Sequence, residues 1–107
     1  GCEAPRRLKF PRHIVGDLCE AIAVKELTAR GYTVFTTTQA HSPIDIIAVA
    51  PGGEMLYLDV KADRFRVNPN RTKRSRIHRK RSDQQKLLGV RMCYVNEHTE
   101  ELHITAA

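Results

Sequence analysis

The chain has 107 residues, 41% of them apolar and 28% charged, with a formal net charge of +6, a size that suits one domain with one modest core. No apolar run approaches the roughly 20 residues needed to cross a bilayer, and the opening "GCEAPRRLKFPR" lacks the apolar stretch of a secretory signal. Three scattered cysteines, Cys2, Cys19 and Cys93, argue against a disulfide framework or a cysteine zinc site, so a reducing cytoplasm is the expected setting.

In chain order, residues 1 to 12 read as a flexible basic arm, and residues 13 to 107 as a single domain. A helix is expected over Asp17–Arg30, with Asp17 as its N-cap candidate and Gly31 as its stop. "YTVFTTTQ" reads as a strand, being rich in β-branched and aromatic residues. "IDIIAVA" and "EMLYLDVKA" are two further strands, joined by the turn Pro51-Gly52-Gly53. The segment Arg64–Arg81 holds nine Lys and Arg in 18 residues and no acid, and reads as a long basic loop. "SDQQKLLG" is a short helix in which Ser82 and Gln85 are spaced as a capping box. "VRMCYVNE" and "ELHIT" close the chain as a hairpin around His98 and Thr99. The order α-β-β-β-α-β-β predicts an α/β domain with a mixed central sheet.

The charges inside the hairpin raise the functional question. Side chains alternate along a strand, so Tyr57, Asp59 and Lys61 share one face. If Pro51-Gly52-Gly53 is the whole turn, Ala50 faces Glu54, and the same register puts Asp45 opposite Asp59. Facing carboxylates destabilise a bare sheet. A divalent cation between them would remove the cost, since Mg²⁺ takes one or two carboxylates plus waters and phosphate. The competing reading is an ordinary ion pair of Lys61 with Asp45 or Asp59. Glu20 falls in an apolar arc of the first helix with Ala23, Val24 and Leu27, where a carboxylate needs a partner. Asp17-x-x-Glu20 is equally a capping-box spacing, and Asp17 is an alternative acid for the site.

The basic segment suits a polyanion, because each Lys or Arg placed on a phosphate releases counterions. Its candidate nucleic-acid contacts are Arg64, Arg66, Arg71, Lys73, Arg74, Arg76, Arg79, Lys80 and Arg81, joined by Arg12 from the arm. With no amphipathic helix beside these charges, a membrane surface is not the expected partner. Apolar residues such as Leu8, Phe10, Met92 and Val95 have two possible fates, a dimer interface or the core.

Taken together, Gly16-x-x-x-Glu20, Pro43-x-Asp45 and Asp59-x-Lys61 resemble the PD-(D/E)XK nuclease superfamily, with Asp59 in the position often held by Glu. The likeness runs from Gly16 to about Ala62, and Gln84 or Gln85 resembles a glutamine that some members carry. Within the superfamily the chain resembles archaeal-type Holliday junction resolvases, and also the small nucleases associated with group I introns. The resemblance implies a restriction-endonuclease-like core and metal-dependent phosphodiester hydrolysis of DNA, branched DNA in the resolvase case. It implies Mg²⁺, or Mn²⁺ in its place, on Glu20, Asp45 and Asp59, with Lys61 acting on the water or the phosphate. It also implies a homodimer. Ser42 is a possible accessory residue, as is Gln85. A non-catalytic nucleic-acid-binding module with structural carboxylates is the alternative of a different class.

Overall fold

The computed structural model describes residues 10–67 and 74–106. Its order is α1 (Arg12–Ala29), β1 (Thr33–Thr36), β2 (Ile46–Val49), β3 (Met55–Ala62), β4 (Phe65–Val67), β5 (Arg74–Arg76), α2 (Asp83–Leu88), β6 (Arg91–Val95) and β7 (Leu102–Ile104). Five strands form one mixed sheet in the order β1-β2-β3-β6-β7, and β4 and β5 form a separate two-stranded ribbon. Only β3 and β6 run parallel; the other neighbours in the main sheet are antiparallel. This is the expected α/β architecture.

Helix α1 starts five residues before the expected Asp17, with Pro11 at its N-cap and no side-chain cap bond. The N–H groups of Ile14 and Val15 donate to the Pro11 carbonyl, and the earlier turn lets Val15 pack against the core. Asp17 and Glu20 therefore stand inside the helix, and the capping-box reading of the pair is corrected. Cys19, Ile22, Ala23 and Leu27 recur at helical spacing and are buried. They meet Ile46, Ala48, Leu58, Cys93 and Val95 of the sheet, each large aliphatic contributing about 1.5–3 kcal/mol by leaving water. The helix ends where Gly31 takes a φ of 94°, a left-handed geometry that a side chain would strain.

The register of the β2–β3 hairpin is the predicted one, running from Val49↔Met55 to Ile46↔Leu58. Gly53, at φ 94°, lets its N–H reach the Ala50 carbonyl at 2.9 Å, and Ala50 N–H bonds Glu54 O at 2.8 Å. Because Leu58 packs beneath α1, alternation sends Asp59 and Lys61 to the opposite face of the sheet.

The long loop expected at 64–81 is corrected in part: β4 and β5 pair there, with Phe65 opposite Arg76 and Val67 opposite Arg74. Acids outside the block pair with two of its arginines. Asp63 holds Arg76 through two hydrogen bonds of 2.8 and 3.2 Å, and Glu97 holds Arg64 at 2.7 Å. Arg74 and Arg76 also lie over the Phe65 ring, 5.2 and 5.1 Å from its centroid. After the ribbon the chain crosses the sheet face, where the Arg79 N–H donates to the Tyr94 hydroxyl at 2.6 Å.

Met92 and Val95 are core residues, and Phe10 stacks on His98 at 5.6 Å; Leu8 lies outside the described residues. Cys19 and Cys93 are buried free thiols, and burial pushes them up to about 11 and about 12. Among the described residues no helix is long and apolar enough to cross a membrane.

Candidate active site

Asp45, Asp59, Lys61, Ser42 and Gln85 line one open cleft, with His41 and Pro43 on its near wall. Three parts of the fold place them: β3 carries Asp59 and Lys61, the loop entering β2 carries Ser42 and Asp45, and α2 carries Gln85. Asp59 sits inside β3, where the strand ladder fixes its backbone against β6 opposite Met92. Asp45 precedes β2; its N–H donates to Leu58 O and its Oδ2 accepts the Val60 N–H, both at 2.8 Å. The Asp45 side chain thus takes the place of a backbone partner and is held beside the Asp59 carboxylate.

Asp59 is 8% exposed. Its Oδ2 accepts from Gln85 Nε2 at 2.8 Å, and its Oδ1 lies 3.6 Å from Lys61 Nζ. Gln85 is the short helix's contribution. Its Oε1 accepts the Ser82 N–H at 3.0 Å, completing the capping box, while its Nε2 also donates to the Pro43 carbonyl at 3.1 Å. One side chain therefore ties α2, the entry to β2 and Asp59 together. Ser42 Oγ donates to the Ile44 carbonyl at 2.8 Å, which shapes the loop entering Asp45.

Burial pushes Asp45 from its ordinary 3.8 up to about 6, and the Asp59 side chain and the Glu20 charge push the same way, against the Val60 N–H. The native state therefore keeps this proton to higher pH than the unfolded chain does. Its contribution to stability is greatest below pH 4 and falls as pH rises from about 4 to about 6. Without a bound cation, Asp45→Asn should raise stability at pH 7.5 by about 1–2 kcal/mol, the full shift being discounted for partial exposure. The gain should vanish below pH 4, and urea melts at the two pH values check it. A variant no more stable than the parent at neutral pH would mean that burial and the Asp59 side chain do not penalise the Asp45 charge.

Glu20 is not in this cleft. It borders a shallow groove with Asp17, Ala21, Val24 and Thr36, and no three His, Cys, Asp or Glu side chains among the described residues come close enough to share an ion. The physical reason is the alternation in β3: α1 covers the Leu58 face, and Asp59 points away from it. The Glu20 charge still reaches Asp45.

The basic residues divide into several groups. Lys80 and Arg81 border the cleft beside Asp59 and Lys61, with Arg81 anchored to the Val90 carbonyl at 3.0 Å. Arg64 and Arg74 line a different cavity at the root of the ribbon, and Arg76 is committed to Asp63. Arg12, Arg66 and Arg79 are exposed; Arg71 and Lys73 lie outside the described residues. Sequence reasoning missed the Pro43 carbonyl and Tyr94 as supports of the cleft. Neither carries a local signal, since each acts on a residue distant in the chain.

No protein-family model matches the chain, and no curated protein does. Among solved structures it is similar to the bacterial homing endonuclease I-Ssp6803I, with a TM-score of 0.62 and 14% identity, covering 92% of this chain and 67% of that one. The likeness shows a shared fold.

Proposed function

We propose that this chain is a Mg²⁺-dependent DNA endonuclease whose phosphodiester hydrolysis takes place in the cleft of Asp45, Asp59 and Lys61. The carrying observation is the pair of neighbouring carboxylates, one buried and held by Gln85, kept together beside an ammonium despite the penalty on Asp45. A binding module would gain nothing from acids that repel phosphate.

The donor set fits Mg²⁺: two hard carboxylates with space left for water and phosphate oxygens. Bound by Asp45 and Asp59, the ion would supply Lewis-acid activation of the scissile phosphate and of a water. Gln85 fixes Asp59 for that role. Lys61, whose side chain is 42% exposed, offsets charge on the phosphate or holds the attacking water. Lys80 and Arg81 draw the backbone to the rim. Glu20 adds negative charge from outside the cleft. Hydrolysis joins the water oxygen to phosphorus, and the sugar oxygen leaves with the proton.

The similarity to a homing endonuclease over 92% of the chain favours a linear duplex substrate of the intron-associated kind. Junction resolution is the second reading, resting on the Gly16-x-x-x-Glu20 helix. A homodimer would give one cleft to each DNA strand. Linear duplexes of randomised sequence and a four-way junction, labelled and mixed at equal concentration with Mg²⁺, distinguish the two. Cuts in the duplex pool at a recurring sequence are expected. Paired cuts confined to the junction would make the protein a resolvase.

A further inference from the structure

A second cavity of about 330 Å³ lies at the root of the β4–β5 ribbon, lined by Asp63, Arg64, Phe65, Arg74, Glu97 and His98. Its chemistry differs from the cleft and from the basic surface. Two acids and two guanidiniums balance, in a chain whose net charge is +6. Arg64 is paired with Glu97 at 2.7 Å, and Arg74 lies over the Phe65 ring. A lining without excess positive charge is a poorer seat for phosphate than the basic surface is.

What is left over is an acceptor and a ring. The Glu97 side chain is only 5% exposed; its Oε1 is committed to Arg64 and lies 3.7 Å from His98 Nε2, while Oε2 is buried with no hydrogen-bond partner among the described residues. A buried carboxylate oxygen in that state bears its desolvation cost uncompensated, and a donor entering through the cavity would relieve it. His98 uses one ring face against Phe10, at 5.6 Å with planes 26° apart, which leaves the other as a stacking platform. Its N–H is held by Asn96 Oδ1 at 2.9 Å, so the backbone beneath the ring is fixed.

We infer that this cavity receives a single unstacked nucleobase bearing an exocyclic amino group, of the cytosine kind, with its amino group donating to Glu97 and its ring on His98. Carboxylates read cytosine through this amino group. The inference rests on the DNA-endonuclease reading for its ligand class. It adds a base-selective contact at the end of the strand that carries the cleft. Asp63 follows Asp59 by four residues, about 13 Å at roughly 3.3 Å per strand residue, so one nucleic-acid strand can span both places.

The test is a ¹⁵N NMR titration of the full, metal-free chain with dCMP, dTMP and inorganic phosphate separately. Saturable shifts at the amides of Asn96 and Glu97 are expected with dCMP, at an affinity at least about fivefold above dTMP. Glu97→Gln should erase that difference, and the exposed His98→Ala should weaken dCMP without unfolding the chain. Equal shifts with phosphate alone, equal affinity for the two nucleotides, or no shifts at millimolar ligand would each overturn the assignment. No cleavage or metal enters this experiment, so its failure leaves the nuclease reading standing, and loss of the nuclease reading leaves the titration interpretable.

Discussion

Asp59→Asn should reduce DNA cleavage by about 10³-fold or more, equivalent to about 4 kcal/mol of barrier, while leaving the fold intact. The substitution keeps the shape of a side chain that is 8% exposed and removes the charge a hard cation needs. An amide at this position can still meet Gln85 by rotation, so the capping box at Ser82 and the hairpin register persist. Gln85→Ala is the informative contrast. It leaves both carboxylates but frees Asp59 Oδ2 and the Pro43 carbonyl, which Gln85 Nε2 now joins. Its cleavage rate should fall by roughly ten- to a hundredfold, the range found for supporting contacts around metal ligands, with part of the loss recovered at higher Mg²⁺. If Asp59→Asn cut at the parental rate, the cleft would not be the place of hydrolysis.

Tyr94→Ala should cost about 3–5 kcal/mol, the scale of removing a buried aromatic ring. Tyr94 is 1% exposed and stands where three parts of the molecule meet. Its ring lies edge-on to His78 at 6.0 Å and tilted against His103 at 6.3 Å, and its hydroxyl accepts the Arg79 N–H. Tyr94→Phe keeps the packing and loses one hydrogen bond, so about 1 kcal/mol is expected. Urea denaturation of both variants measures the two costs. The smaller change should also weaken DNA binding, because the segment it releases carries Lys80 and Arg81 to the cleft. A Tyr94→Ala protein within 1 kcal/mol of the parent would mean that this segment does not pack on the sheet.

The hairpin was legible because its turn is short. Pro51-Gly52-Gly53 leaves little freedom of register, and one register places Asp45 beside Asp59. The α2 cap was legible for the same reason, Ser82 and Gln85 being three residues apart. The second duty of Gln85, its bond to Asp59 from 26 residues away, has no local signature. The start of α1 misled because Asp17-x-x-Glu20 has the spacing of a cap, while the gain that extends the helix back to Arg12 is tertiary, the packing of Val15. Glu20 shows the limit of wheel arguments. Its apolar neighbours identify the face that meets the sheet, but only the alternation of β3 beneath that helix shows that Asp59 points away. Charge counting over Arg64–Arg81 suggested a long loop, yet the acids that order the ribbon, Asp63 and Glu97, lie outside the block in sequence.

The most direct measurement of the central claim is the cutting of a randomised duplex library, with the four-way junction as a second arm, by the parent chain and by Asp59→Asn. Each is incubated with Mg²⁺ or with EDTA, and the new DNA ends are sequenced. The cleft assigned here predicts new ends with the parent in Mg²⁺, and none with EDTA or with Asp59→Asn. The same ends from Asp59→Asn, or intact DNA in both arms with Mg²⁺ and with Mn²⁺, would contradict it.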